Sequence, residues 1–315
     1  MSLTRTPPPP DISVVIPTRD REDRLRETLR ATLAQRDAGG EPVRLEILVI
    51  DDGSSADLSP ILEPFAADPH GRRVHLETQP AAGPAAARNR GVALARAERV
   101  LFLGDDTRPA AGAIEAHLEA ARRRLEETGR ECGVQGRIEW DPEREITELM
   151  RFLAPAGPQF YFRGLREDRP IPFTAVLGSN FSAPRAWLEA EPFDERFPHA
   201  AVEDTEMAWR WRRLGWESIF RGSALCFHHH LYDRLEPFLE RQRRAGSSAR
   251  YAVRRHPRLL WPLVLQPTLF GAVVKARAWA GRGRPHDRWD LACRRAFWRG
   301  FRGRPGASRP REPPP

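Results

Sequence analysis

The sequence contains almost no lysine and little cysteine. Of its 51 basic residues, Lys275 is the only lysine, and all the others are arginine. Chemistry that needs a lysine elsewhere in the chain, such as a P-loop or an internal Schiff base, is therefore excluded. Cys132, Cys226 and Cys293 are odd in number and form no CxxC pair, so neither a disulfide framework nor a cysteine zinc site is predicted. This cysteine usage favours the reducing cytoplasm.

Long apolar runs are scarce as well. We expect no secretory signal, because the first residues show neither an apolar core nor a small-residue cleavage site. Residues 259–274 form a 16-residue apolar run that two prolines and a glutamine interrupt, which is short for a spanning helix of about 20 residues. Arginines and Lys275 flank the run, so we interpret it as an interfacial contact with an anionic membrane surface. A helix packed on its own domain and a dimer contact are the alternatives.

The basic charge is concentrated near the C-terminus. The chain has a net charge of +8 and a pI of about 10.4. Residues 233–315 hold 20 basic and 6 acidic residues, whereas residues 1–232 hold 31 basic and 37 acidic residues. A basic segment is a reason to consider nucleic-acid binding, but that function explains none of the chain's carboxylate pairs. We expect no nucleic-acid partner.

Strand-like apolar runs alternate with helical patterns in the first third of the chain. Runs at residues 12–16, 45–50, 74–77 and 99–103 are separated by helical patterns at residues 20–36, 60–67 and 84–97. This alternation predicts an α/β fold with a parallel sheet. We expect Asp20 to cap the first helix, and Pro84 and Pro109 to lie in the first turns of two others.

The remaining segments are predicted from composition. Residues 132–183 mix short strands with an aromatic loop at residues 160–162, and we expect irregular, substrate-facing structure there. Residues 1–10 and 303–315 are rich in proline and arginine and poor in large apolar residues, so we expect both ends to be disordered.

Three carboxylate pairs follow strands or open a helix. Asp51 and Asp52 follow the second strand, Asp105 and Asp106 follow the fourth, and Glu203 and Asp204 open a helical pattern. Any one pair alone would usually be a turn or a helix cap. Together with three consecutive histidines at residues 228–230, the pairs supply the oxygen and imidazole ligands that suit a hard divalent cation.

Four motifs follow one another along the chain: SVVIPTRDR at residues 13–21, EILVIDDGSS at 46–55, the segment 83–106 that ends in GDD, and the segment 178–215 with its Glu-Asp pair. In their order and spacing, these motifs resemble the family-2 glycosyltransferases of the GT-A fold. The resemblance implies a mostly parallel twisted sheet flanked by helices, and we expect a helical basic extension after it. It also implies sugar transfer from a nucleotide-sugar donor to an acceptor hydroxyl, with inversion, and a Mn²⁺ or Mg²⁺ cofactor.

The resemblance also assigns roles to individual residues. It implies that Asp106 binds the metal together with His228 or His230, although Gly104 stands where the family usually has a further acid. The residues implied in nucleotide-sugar binding are Pro17, Thr18, Arg19, Asp51, Asp52, Arg88, Asp105, Gly178 and Asn180. Apart from the resemblance, Trp209 is predicted to stack on an acceptor ring, with coverage of the core as the alternative.

Asp204 is the expected general base, with Glu203 as the second catalytic carboxylate. An acceptor hydroxyl must lose its proton as it attacks, so the site needs a base opposite the leaving group. Met207, Trp211 and Leu214 are spaced as an apolar stripe that would anchor the helix and leave its first turn at the site. The helix dipole favours the ionised form of Asp204. An ordinary N-cap is the alternative.

We therefore predict a nucleotide-sugar-binding half at residues 11–107, an acceptor and catalytic half of the same domain at 108–232, and a helical basic extension at 233–302. The expected donor is UDP-, GDP- or dTDP-linked. The expected acceptor is a glycan or a lipid-linked precursor of a cell-envelope polysaccharide, used in the cytoplasm at the inner face of the membrane. An inactive nucleotide-sugar-binding protein, favoured by Gly104, is the main alternative.

Overall fold

A computed structural model describes residues 9–66, 68–155, 157–280, 283–284 and 286–303. The predicted disordered ends fall almost wholly on residues 1–8 and 304–315, which lie outside the described ranges. The strands are β1 Ile12–Thr18, β2 Leu45–Asp51, β3 Val74–Thr78, β4 Arg99–Leu103, β5 Thr107–Pro109, β6 Gly133–Trp140, β7 Asn180–Pro184 and β8 Ser218–His228. The helices are α1 Glu22–Leu33, α2 Ser59–Ala66, α3 Pro84–Leu94, α4 Ala113–Thr128, α5 Glu148–Leu153, α6 Arg185–Ala190, α7 Glu203–Arg213, α8 Glu236–Arg255, α9 Gln266–Trp279 and α10 Asp287–Arg302.

All eight strands form one mixed sheet in the order β3-β2-β1-β4-β7-β6-β8-β5. The first four strands in this order are parallel, as the alternating pattern predicts. β7 runs antiparallel to both of its neighbours, β4 and β6, and β5 runs antiparallel to β8. The predicted α/β class with flanking helices is confirmed. The sheet continues without a break from the predicted nucleotide half into the predicted acceptor half.

The central strands are buried on both faces, which explains their continuous apolar sequences. Every residue of β2 and β4 is buried. On one face of the sheet, α1 packs through Leu25 and Leu29, both fully buried. Burial of such side chains contributes about 1.5–3 kcal/mol each, so the sheet centre is the rigid part of the molecule. Loops at the ends of these strands are therefore held in fixed positions.

Four details differ from the sequence predictions. Asp20 does not cap α1, which begins two residues later; its φ is 52° and its carboxylate accepts hydrogen bonds from the N–H and hydroxyl of Ser55. Pro109 ends β5 rather than opening a helix, because α4 begins at Ala113. Leu214 lies beyond α7 and is exposed, so it does not anchor that helix. Phe160 and Phe162 are buried core residues rather than substrate-facing ones.

The C-terminal extension is helical and shares a core with the sheet domain. Phe238 of α8 and Cys293 of α10 pack in one cluster with Trp140 and Phe160. Tyr251 of α8 donates a 2.8 Å hydrogen bond to Asp194, and His256 lies 2.8 Å from Glu206 of α7. The extension therefore packs against α7 and the part of the sheet domain that contains Asp194.

Candidate active site

The carboxyl ends of β1, β2 and β4 meet at one edge of the sheet, where ligands bind in open α/β folds. Thr18 at the end of β1 donates a 2.9 Å hydrogen bond to the carboxylate of Asp105, which follows β4. The backbone N–H of Asp52, which follows β2, donates a 2.9 Å hydrogen bond to the Thr18 carbonyl. The predicted donor residues Pro17, Thr18, Asp51, Asp52 and Asp105 are thus brought together by strand pairing.

Asp51 and Asp52 shape the loops around this edge. Asp52 accepts hydrogen bonds of 2.8 Å from the backbone N–H groups of Ala82 and Gly83, and one of 2.9 Å from the Gln79 side chain. Asp51 accepts a 2.8 Å hydrogen bond from the Ser54 N–H. Both carboxylates are buried and already partnered, so they hold the loop that would surround a nucleobase.

Arg21 bridges the carboxylates of Asp105 and Asp106, at 3.0 and 3.2 Å. Burial raises the pKa of Asp105. The positive charge of Arg21 opposes this shift, and the negative charge of Asp106 adds to it. Burial also disfavours the charged form of Asp106, but His228 and Arg21 outweigh it and lower its pKa. The negative charge of the pair is therefore concentrated on Asp106.

The three consecutive histidines have different surroundings. The Nε2 atom of His228, at the end of β8, lies 3.6 Å from Oδ1 of Asp106, and its Nδ1 has no hydrogen-bond partner. The Nδ1 atom of His230 lies 3.1 Å from the guanidinium of Arg24. His229 is buried, with its Nε2 atom 2.9 Å from Asp141 and its Nδ1 atom 2.7 Å from Glu27.

Asp106 and His228 have the chemistry of cation ligands. Burial lowers the pKa of His228 to about 4, so its ring is neutral near pH 7 and keeps a lone pair. A carboxylate oxygen and an imidazole nitrogen are suitable ligands for Mn²⁺. Within the described ranges, however, no three His, Cys, Asp or Glu side chains are grouped so as to hold a metal ion. The two side chains therefore supply two of the ligands that such a cation requires.

The second carboxylate pair lies at the start of α7. Glu203 is buried, and its Oε1 accepts a 3.0 Å hydrogen bond from Arg88. Burial and the adjacent Asp204 raise the pKa of Glu203. Asp204 is only half-buried, and its Oδ2 accepts a 3.0 Å hydrogen bond from the Gly178 N–H. Asp204 is therefore the accessible carboxylate of the pair, and Glu203 is the supporting one.

Gly178 joins the two halves of the site. A Cβ atom at Gly178 would lie 3.1 Å from the Arg88 guanidinium, so a side chain here would crowd that ion pair. Strand β7 begins two residues after Gly178. The residue between them, Ser179, accepts a 3.3 Å hydrogen bond at its carbonyl from the Gly104 N–H. This link places Asp204 and the Asp105–Asp106 pair at the same end of β4.

Two other predicted residues, Asn180 and Trp209, are engaged in packing contacts. Asn180 is fully buried and uses its whole amide: it bonds to His117 and to the carbonyls of Arg137 and Ala224. Trp209 packs its ring 4.5 Å from that of His256 in the extension. Both positions support a packing role in place of ligand contact. Arg19 is exposed at the edge of the site.

Two residues that contribute to the site, Arg21 and His117, received no role in the sequence analysis. Arg21 is the last residue of the motif at residues 13–21. Its position directly after the β1 loop is the feature of the sequence that indicates its contact with the Asp105–Asp106 pair. His117 supports the floor of the site through Asn180 and Ser182, but nothing in the local sequence of α4 distinguishes it.

Comparison with known sequences gives a family match over half of the chain. Residues 13–170 match the model for glycosyl transferase family 2. A pre-mycofactocin glycosyltransferase from Mycobacterium tuberculosis is 26% identical over 288 residues, which are 87% of this chain and 54% of the relative. A GalNAc(5)-diNAcBac-PP-undecaprenol β-1,3-glucosyltransferase from Campylobacter jejuni is 25% identical, covering 60% of this chain and 56% of that one. The chain thus spans about half the length of these curated relatives.

Solved structures agree on the fold. The mannosyltransferase PcManGT from Pyrobaculum calidifontis, solved with GDP-Man and Mn²⁺, matches with a TM-score of 0.59 at 16% identity, covering 92% of this chain and 74% of that one. GalNAc-T7, solved with UDP, GalNAc and Mn²⁺, matches with a TM-score of 0.53 at 16% identity, over 71% of this chain and 44% of that one. The GT-A fold expected from the sequence motifs is confirmed.

Proposed function

Because the chain belongs to glycosyl transferase family 2, we propose that it moves a sugar from a nucleotide-sugar donor to an acceptor hydroxyl with inversion at the anomeric carbon. One observation carries this proposal: the buried Asp105–Asp106 pair, His228 and the accessible Asp204 converge on the same end of β4. Inversion rests on the family resemblance.

The donor is proposed to lie over the ends of β1 and β2. Residues 11–107 form the donor half in this proposal, with Pro17, Thr18 and Arg19 beside the nucleoside and the loop held by Asp52 around the base. The related folds solved with GDP-Man and with UDP support a nucleoside diphosphate as the leaving group. A UDP-, GDP- or dTDP-linked sugar fits the proposal equally.

A divalent cation, Mn²⁺ or Mg²⁺, is proposed to be held by Asp106 and His228, with His230 as the alternative histidine. When bound, such a cation stabilises the negative charge that develops on the departing diphosphate. Arg21 contributes positive charge at the same place through its contacts with Asp105 and Asp106. The Mn²⁺ ions named in the two related structures support this assignment.

Asp204 is proposed to act as the general base. It takes the proton from the acceptor hydroxyl while that oxygen bonds to the anomeric carbon, and the bond from that carbon to the phosphate oxygen breaks with its electron pair. The nucleoside diphosphate leaves. The Gly178 N–H fixes one oxygen of Asp204 at 3.0 Å. Glu203 and Arg88 are positioning residues, because their ion pair holds the first turn of α7 against α3.

The acceptor and the cellular location of the reaction are part of the same proposal. The acceptor is a glycan or a lipid-linked precursor bound by residues 108–232, and the reaction takes place in the cytoplasm at the inner membrane face. The Campylobacter jejuni relative, whose name contains a polyprenyl diphosphate, supports a lipid-linked acceptor.

A thermal-shift screen tests donor binding. The purified chain is heated with UDP, GDP, dTDP or CDP, each with and without Mn²⁺, because a ligand that binds only the native state raises its apparent stability. A metal-dependent shift with one nucleotide is expected and identifies the donor class. No shift with any nucleotide contradicts the proposal.

Two variants separate binding from chemistry. Asp204→Asn is expected to lower the transfer rate at least about 100-fold while keeping the metal-dependent nucleotide shift. Asp106→Ala is expected to lose that shift as well. Asp233→Asn, an exposed carboxylate outside the site, is the matched control and should behave as wild type. Nucleotide binding without any transfer by the wild-type chain would favour the inactive binding protein instead.

A further inference from the structure

An apolar stripe runs along the outside of the helical segment Pro257–Arg277, which directly follows α8. Trp261, Leu265, Leu269 and Val273 recur every four residues and are 56%, 40%, 58% and 63% exposed. Phe270, 69% exposed, lies beside them. Side chains four residues apart share one face of a helix. A contiguous exposed apolar surface of this kind is typical of an interaction site.

The packing of α8 against α10 is incompatible with a single crossing of a bilayer by this segment. With 21 residues and a mean hydropathy of 1.4, it is long and apolar enough to span a bilayer. However, α8 before it and α10 after it are packed together: a Cβ atom at Gly300 would lie 1.7 Å from the Arg243 carbonyl oxygen. A single crossing would place α8 and α10 on opposite sides of the bilayer, which is incompatible with this contact.

Positive charge surrounds the stripe. Between residues 257 and 277 the charged side chains are Arg258, Lys275 and Arg277, with no carboxylate, and Arg277 forms an ion pair with Asp287 of α10. On the neighbouring helix α10, Arg295 and Arg299 are exposed and form no ion pair with any carboxylate of the described chain. Arginines near a membrane surface are attracted to anionic headgroups. The charge of this surface therefore complements an anionic bilayer.

A groove between α9 and α10 includes Lys275, Arg295 and Arg299 of this basic surface, and its lining contains none of the stripe residues. Its volume is about 750 Å³. Leu263, Val264 and Trp298 form part of its apolar lining, and Lys275 and Arg299 belong to its basic part. An apolar groove with cationic side chains suits the acyl chain and phosphate of a phospholipid, since each part meets a surface of matching chemistry.

We propose that the apolar stripe and the arginines of α10 dock the protein on a bilayer that contains anionic phospholipids. The stripe enters the interface, and Arg295 and Arg299 contact headgroup phosphates. His256 directly precedes the docking segment, Pro257–Arg277, and lies 2.8 Å from Glu206 of α7, so docking also orients the helix that carries Asp204. Only the purpose of docking rests on the proposed function: docking would hold the site near a lipid-linked acceptor.

Vesicle flotation tests this surface on the full-length chain. The probes are vesicles of pure phosphatidylcholine and vesicles in which about a third of the lipid is phosphatidylglycerol. The wild-type chain is expected to float with the anionic vesicles and to remain unbound with the neutral ones. Leu269→Glu combined with Phe270→Glu should weaken binding at least about tenfold, and Arg295→Gln combined with Arg299→Gln roughly tenfold. Leu125→Glu, at an exposed leucine of α4, is the matched control and should bind as wild type.

Three outcomes would overturn the proposal. The first is a wild-type chain that does not float with anionic vesicles, and the second is a Leu269→Glu/Phe270→Glu variant that floats like wild type. The third is a wild-type dimer in light scattering that this variant converts to a monomer, because the stripe would then be a dimer contact. Nucleotide thermal shifts, measured on the same samples, report on the proposed function separately.

Discussion

At the scale of single residues, His117 supports the floor of the active site from within the core. Its Nε2 lies 2.9 Å from the side-chain oxygen Oδ1 of Asn180, and its Nδ1 lies 3.1 Å from the Ser182 hydroxyl. A neutral ring satisfies both contacts, donating to Asn180 and accepting from Ser182. Burial, with a contribution from Arg99, lowers the pKa of His117 to about 4. Asn180 in turn ties β7 to β6 and β8.

The neutral state of His117 predicts acid sensitivity. In the unfolded chain histidine takes up a proton near pH 6.5, whereas in the folded chain it does so only near pH 4. Stability from this residue is therefore complete above pH 6.5 and is lost as the pH falls towards 4. Between pH 7.5 and pH 5 the loss due to His117 is about 2 kcal/mol in the free energy of unfolding.

Urea unfolding at both pH values measures this effect. The free energy of unfolding of His117→Gln, which keeps a donor and an acceptor, should fall by about 2 kcal/mol less than that of wild type over the same interval. His70→Gln, at an exposed histidine, is the control and should match wild type. Equal losses in wild type and His117→Gln would contradict the buried neutral state.

At the scale of elements, the contact between α8 and α10 depends on two glycines. A Cβ atom at Gly246 would lie 2.0 Å from the Phe297 carbonyl oxygen, and one at Gly300 would lie 1.7 Å from that of Arg243. Backbone atoms cannot move aside as a flexible side chain can, so the two helices would have to separate. This contact holds both ends of the docking segment on the same side of the molecule.

Gly300→Ala is expected to destabilise the protein by about 2 kcal/mol, even though alanine favours a helix by about 1 kcal/mol. The reason is the overlap with the backbone of α8. Thermal unfolding followed by circular dichroism measures the change. Gly303→Ala, just beyond α10, is the control, because its φ of −57° suits any residue. A Gly300→Ala variant as stable as Gly303→Ala would show that the helices do not pack this closely.

At the scale of the whole molecule, the sheet and the extension are predicted to unfold together. Phe238 and Cys293 of the extension share a buried cluster with Trp140 and Phe160 of the sheet domain. Removing either part would expose the apolar side chains of the other. We expect a single cooperative transition, with far-ultraviolet circular dichroism and tryptophan fluorescence giving the same midpoint.

Tryptophans are present in both parts, so fluorescence reports on the whole chain. Trp187, Trp211 and Trp216 pack together beside the sheet, and Trp289 and Trp298 belong to α10. Two separate transitions, or midpoints that differ between the two methods, would contradict the shared core.

Much of the first half of the fold was predictable because its signals are local. The buried strands are continuous apolar runs, and helical periodicity separates them, so the strands β1 to β4 and the edge at which Asp105 and Asp106 lie follow from the pattern. The antiparallel course of β7 was not predictable, because strand direction depends on pairing between segments far apart in sequence. Strand β6 lies where irregular structure was expected, and it was not predictable for the same reason, because its partners β7 and β8 are far away in sequence.

The sequence by itself determined the α/β class, the position of the carboxylate pairs at element ends and the basic character of the C-terminal region. Each of these depends on residue type and short spacing. Only the tertiary structure decided that Arg21 bridges Asp105 and Asp106 and that Glu203 is buried against Arg88. It also decided that the Asn180 amide forms all its hydrogen bonds inside the core. The partners in these contacts are 43 to 115 positions apart in sequence, so only the folded sheet brings them together.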